Sequence, residues 1–138
     1  MMQRLNVGDL LRALQIMERN VSVTLMYSGL RIPQFRLLEL ISERGQATVT
    51  EVSKSLHITC ATASVQINEL IRGGIIAVAE NETDRRSFHV HITELGANKL
   101  QVARSDLAVM QAKLSSHYSE ETITALNAFA AGALQQRH

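Results

Sequence analysis

A chain of 138 residues can bury one core but not two, so the sequence is read as a single domain. Its 14 lysines and arginines against 13 aspartates and glutamates leave a net charge of +1, so any basic surface has to come from placement rather than composition. The one cysteine, Cys60, excludes an intrachain disulfide and a cysteine-rich zinc site and suits a reducing compartment. The first residues carry no signal-peptide pattern and no apolar run approaches the length of a bilayer, so the expectation is a soluble, cytoplasmic protein.

In chain order, Leu10, Leu14, Met17, Val21 and Leu25 recur at helical spacing and predict a long amphipathic helix from Asp9 to near Gly29. Pro33 opens a second helix with Phe35, Leu38 and Ile41 as its stripe and Gly45 as its stop. Thr48 and Glu51 form a capping box for a short helix from Val49 to about Leu56. After a tight turn at His57-Ile58, Thr59 caps another helix whose inner face is Ala63, Ile67 and Leu70 and whose end is Gly73-Gly74. Two short helices so joined make a helix-turn-helix.

Strands follow at 75–80 and 87–92, joined by a loop from Asn81 to Arg86 that carries adjacent arginines at its tip. Thr93 caps a long helix with Leu100, Ala103, Leu107, Met110 and Leu114 three and four apart, and Ser119 caps a last one carrying Ile123, Leu126, Ala130 and Leu134. The fold class is therefore mainly α with a small β-hairpin wing: a winged helix-turn-helix with helical extensions at both ends. About 31–93 would be the reading unit, with about 1–29 and 94–138 as extensions.

These elements resemble the MarR family of bacterial transcription regulators. "GLRIPQFRLLELI" is similar to the family's opening of the second helix, and "TVTEVSKSLHITCATASVQINELIRGGII" to its helix-turn-helix, closing on Leu70 to Ile75. "DRRSFHVHITELG" is similar to its wing: Asp-x-Arg, then hydrophobic-x-hydrophobic-Thr-x-x-Gly. The resemblance implies that Arg86 enters the DNA minor groove, that Asp84 orients it and that Arg85 contacts phosphate. A narrow A/T minor groove concentrates the negative potential that attracts such an arginine.

With Ala63, Ile67 and Leu70 inward, a helical wheel turns Ala61, Ser64, Val65 and Asn68 outward, flanked by Thr62 and Arg72. Thr59 and Cys60 sit at the helix start, the end that approaches bases in helix-turn-helix proteins. Ser64 suits either kind of base pair, Ala61 and Val65 suit thymine methyls, and Asn68 suits adenine. The expected DNA-binding set is Lys54, Thr59, Cys60, Ala61, Thr62, Ser64, Val65, Asn68, Asp84, Arg85 and Arg86. The family often carries arginines where Cys60 and Val65 stand, and a capping threonine where Arg31 stands. From 46 to 93 there are four positive and five negative side chains, a thin electrostatic footprint for a DNA reader.

No phosphate loop, nucleophile motif or carboxylate pair appears, so no enzyme and no cofactor are expected. His89 and His91 share a strand face but lack the further ligands that zinc needs, so no metal is expected. Cys60 is read as a small residue filling a turn rather than an oxidation sensor. The terminal helices carry apolar stripes too long for so small a core, which together with the resemblance implies a homodimer. The partners so implied are double-stranded DNA with a pseudo-palindromic operator and a small aromatic or lipophilic effector, without a membrane. Tyr27 and Phe35 are candidate effector lining, with core packing the alternative for Phe35. The function expected is a sequence-specific repressor relieved by an effector; the alternative is a winged-helix dimer that binds another protein and has lost its operator.

Overall fold

The computed structural model describes residues 2–79 and 88–136. Helix α1 (Val7–Thr24) tightens into one 3-10 turn (Leu25–Ser28) and is followed by α2 (Ile32–Arg44), strand β1 (Ala47–Thr48), α3 (Val49–Leu56) and α4 (Cys60–Arg72). Strands β2 (Ile76–Val78) and β3 (His89–Ile92) lead into α5 (Glu94–His117) and α6 (Glu120–Gln135). This is the helical order expected, with β2 and β3 forming the base of the wing.

Local chemistry sets these boundaries. Helix α1 begins two residues before Asp9, because the Asn6 side chain accepts from the Asp9 amide at 3.0 Å and caps the first turn. The 3-10 turn that continues it ends at Gly29, which takes φ 74, a left-handed conformation that costs glycine little. Ser28, the buried polar residue of that turn, is satisfied locally: its hydroxyl donates to the Leu25 carbonyl at 2.6 Å and accepts from the Leu30 amide at 3.2 Å. At the start of α2, Arg31 has no side-chain acceptor to offer, and Gln34 alone reaches back, accepting from the Arg31 amide at 3.0 Å.

The hydrophobic periodicity of α2, α3 and α4 converges on one core. Leu37, Leu38, Ile41, Val52, Ile67 and Leu70 are fully buried, with Val90 from the wing and Ala103 from α5 closing it. Fully burying each such aliphatic side chain contributes roughly 1.5–3 kcal/mol. Phe35 packs against the margin of this core.

The sheet has a strand that the hydrophobic pattern does not announce. Ala47 and Thr48 form β1, antiparallel to β3 with Ala47 opposite Val90 and Thr48 opposite His89. On its other side β3 pairs β2, with Ile76 opposite Ile92 and Val78 opposite Val90. The order β1-β3-β2 puts the wing strand β3 in the centre, bonded both to its hairpin partner and to the residues that cap α3.

The outer helices differ from α2, α3 and α4. Helix α5 is buried only near its start, at Gly96, Leu100 and Ala103, while α1 and α6 contain no buried residue at all. Leu11, Leu14, Phe129 and Leu134 stand exposed on them. Between α1, α5 and α6 runs an apolar cleft of about 310 Å³, with Met17, Val21, Met110, Leu114 and Ile123 on its walls. Among the described residues no helix is long and apolar enough to cross a membrane.

Candidate nucleic-acid interface

The helix-turn-helix is held by three local devices. Thr48 and Glu51 close the capping box of α3: the Thr48 hydroxyl accepts from the Glu51 amide at 3.2 Å, and Glu51 accepts from the Thr48 hydroxyl at 3.1 Å. These Thr48 hydrogen bonds, the side-chain one foremost, hold the Glu51 carboxyl below the usual carboxylate range; partial burial opposes them and Arg44, paired at 2.7 Å, adds to them. The turn itself rests on His57, which adopts φ 55 and ends α3 by donating its amide to the Ser53 carbonyl. Ser53 answers with its hydroxyl, donating to the Ile58 carbonyl at 2.7 Å.

Helix α4 is then presented outward. Thr59 caps it, accepting from the Thr62 amide at 3.0 Å, and the Thr59 hydroxyl donates to that of Thr62 at 2.9 Å. Ala63, Ile67 and Leu70 are fully buried, so the face opposite them looks away from the core. Thr59, Cys60, Ala61, Thr62, Val65 and Asn68 are exposed along it, and Ser64 is half-buried. Val65 keeps 57% of its surface accessible, although an exposed valine gains nothing from water. Lys54 on α3 and Arg72 at the end of α4 are exposed cations. Asp84, Arg85 and Arg86 lie outside the described residues.

Two close contacts tie the wing base to α5. Helix α4 ends in a Schellman turn: Gly74 takes φ 72, and the Ile75 amide donates to the Leu70 carbonyl at 2.9 Å. Thr93 caps α5, accepting from the Gly96 amide at 3.1 Å, and its hydroxyl also reaches the carbonyls of Gly74 at 2.6 Å and Ile75 at 2.9 Å. Gly96 packs so closely that a Cβ there would run into the Ile75 carbonyl oxygen. The Thr-x-x-Gly spacing at residues 93–96 is thus a lock between the strand that follows α4 and the helix that follows the wing.

Some members of this surface left no local trace in the sequence. Arg31, at the start of α2, donates through Nη2 to Glu69 on α4 at 2.7 Å, a pairing across 38 positions that no periodicity announces. Beside it the Gln66 side-chain oxygen is buried without a hydrogen-bond partner. His91 is half-buried opposite Ala77, and His89 opposite Thr48, so the histidines flank different neighbours in the sheet. Among the described residues no group of three or more His, Cys, Asp and Glu side chains is arranged to hold a metal ion.

A MarR family model matches residues 30–88. Over 68 residues the chain is 31% identical to YpoP, an uncharacterized HTH-type transcriptional regulator of Bacillus subtilis, covering 49% of this chain and 48% of that protein. A mutant MarR of E. coli in complex with operator DNA is similar with a TM-score of 0.80 at 19% identity, covering 94% of each chain. MarR of Staphylococcus aureus in complex with salicylate and kanamycin also reaches 0.80 at 19% identity, covering 95% of this chain and 91% of that one. The chain spans about half the length of the curated relatives it matches, and likeness to the solved structures at these identities speaks for the fold. It is over residues 30–88, from the start of α2 to the base of the wing, that the chain is similar to the MarR family.

Proposed function

We propose that the protein is a homodimeric, sequence-specific double-stranded DNA-binding transcription regulator, a repressor relieved by a small-molecule effector. The observation that carries this reading is the outward face of α4, with Ala61, Val65 and Asn68 exposed on a frame similar to that of a MarR in complex with operator DNA. Specificity comes from Ser64, Val65 and Asn68 in the major groove, with Thr59, Cys60 and Thr62 at the leading end of the helix. Lys54 and Arg85 contact phosphate, and Arg86, oriented by Asp84, enters the minor groove.

Dimerisation follows from the terminal helices. Helices α1 and α6 bury no residue within the protomer, and a stable association covers such apolar surface. Two reading helices related by a two-fold axis then meet a pseudo-palindrome with half-sites about 10 base pairs apart. An effector of the small aromatic or lipophilic class fits the crevice of about 520 Å³ between α2 and α5, where Ser42, Gln101, Arg104 and Ser105 supply polar groups beside Ile41 and Leu100. That crevice lies between the reading unit and the helix leading to the dimer face. The S. aureus relative in complex with salicylate supports the aromatic-acid chemistry.

Fluorescence anisotropy on the protein's own upstream region tests the DNA reading. Preferential binding to one fragment over random duplex, by a species of dimeric mass in light scattering, is the expected result. A second reading is favoured by the exposed Ala61 and Val65: a dimer whose α4 face docks on another protein. If no fragment competes better than random duplex at any salt, that second reading takes the place of the first.

A further inference from the structure

The start of α2 and the flank of α4 enclose a groove of about 380 Å³. Arg31, Pro33 and Gln34 wall one side; Ala61, Val65 and Glu69 wall the other. Since Ala61 and Val65 also belong to the face assigned to DNA, a duplex lying on that face passes beside Arg31. The Arg31 side chain is 70% exposed, and Glu69 on α4 takes one of its amino groups at 2.7 Å. A guanidinium carries five N–H donors in a planar fork, so a single carboxylate oxygen leaves most of them unused.

We propose that Arg31 is a further phosphate-contacting residue of the DNA face and that Glu69 holds it in reserve. The inference rests on the DNA-binding reading above. A phosphate diester offers a guanidinium the same paired-oxygen geometry as a carboxylate, so duplex and Glu69 compete for one cation. Competition is feasible because the ion pair is exposed and weakly held; surface pairs of this kind are readily exchanged. Glu69 acts twice in this contest, occupying Arg31 and adding a negative charge that the phosphate backbone must approach. The thin positive footprint of residues 46–93 therefore understates the surface: Arg31 lies outside that segment in sequence but on its rim in space.

Anisotropy over a salt series, with the protein's upstream duplex as probe, tests the inference on the wild type, Glu69→Gln, Arg31→Ala and the double variant. Glu69→Gln frees Arg31, so binding tightens several-fold at low salt. The slope of log K against log salt steepens by about 0.9 for each arginine released, about 2 for a dimer. Arg31→Ala weakens binding, and on that background Glu69→Gln no longer steepens the slope. An unchanged slope in Glu69→Gln overturns the proposal. So does a gain that survives in the double variant, which makes Glu69 merely a repelling charge. Absence of binding by all four proteins, even at the lowest salt, overturns the DNA reading and takes this inference with it; binding with four equal slopes overturns this inference alone.

Discussion

Thr93 holds Ile75 twice: its backbone amide donates to the Ile75 carbonyl at 3.1 Å, and its hydroxyl lies 2.9 Å from the same oxygen. The hydroxyl has one proton to share between that carbonyl and the one of Gly74, and its lone pairs serve the Gly96 amide. Replacing Thr93 by valine keeps the shape, removes the cap of α5 and strips both carbonyls of a donor. The expected loss is about 1–2 kcal/mol in urea denaturation. Thr93→Ser, which keeps the oxygen, should recover most of it.

Gly96 offers a test of sign. Near the start of a solvent-facing helix, glycine to alanine normally stabilises by up to about 1 kcal/mol. At Gly96 the added methyl meets the Ile75 carbonyl and lies 2.9 Å from the Ile92 side chain, so α5 must move away from the wing base. Gly96→Ala is therefore expected to destabilise by about 1–3 kcal/mol, read as a lower thermal midpoint. A stabilised variant would show that α5 does not approach the strand so closely.

The capping box makes part of the stability depend on pH. Glu51 has a folded pKa held below its ordinary 4.5, so the unfolded chain takes up its proton first as pH falls. Its stabilising contribution is present in full above that value and is lost as pH falls through the lower folded pKa. The difference in urea midpoint between wild type and Glu51→Ala should be largest at neutral pH and shrink steadily below about pH 4.5. A difference that grows in acid would reverse the sign and refute the assignment.

Val65 tests the reading face directly. Its exposure leaves room for a longer side chain, and arginine to guanine is the commonest specific major-groove contact. Val65→Arg should tighten non-specific binding and steepen the salt dependence by about 2 for a dimer. It should also change which duplex is preferred, while leaving the unfolding free energy within about 0.5 kcal/mol of wild type. Competition binding against a randomised duplex library measures the preference.

The helix starts were the most legible part of the fold. Thr48, Thr59, Thr93 and Ser119 all cap the helices that follow them, because a side-chain oxygen beside free amides is a local device visible in a few residues. The inner face Ala63, Ile67 and Leu70 was legible for a similar reason, since one period repeats across one helix. Strand β1 was not, because two residues carry no period. Its existence depends on Val90 and His89 arriving from 43 and 41 positions away. The Arg31–Glu69 pair is hidden likewise: it is made by the packing of α2 on α4, and neither residue is special in its own helix. The stripes of the first and last helices are apolar faces, but periodicity cannot say whose core they cover: within the protomer only Val21 and Leu25 of the first stripe meet the core, and α6 contains no buried residue.

The central position of β3 carries a mechanical consequence. One edge of that strand is bonded to the residues that begin α3 and the other to the strand that leaves α4, so the wing base and the helix-turn-helix form one plate. Helix α5 springs from the same plate through the Thr93 lock, like a handle fixed to a blade. Rotating the handle carries wing base and reading helix together, without bending either. In a dimer the quantity that changes is then the distance between two rigid blades, and the spacing of successive major grooves is the gauge against which it is set. Spin labels on α4 of each protomer would register this as a shift in one distance between subunits, with distances inside each reading unit held constant.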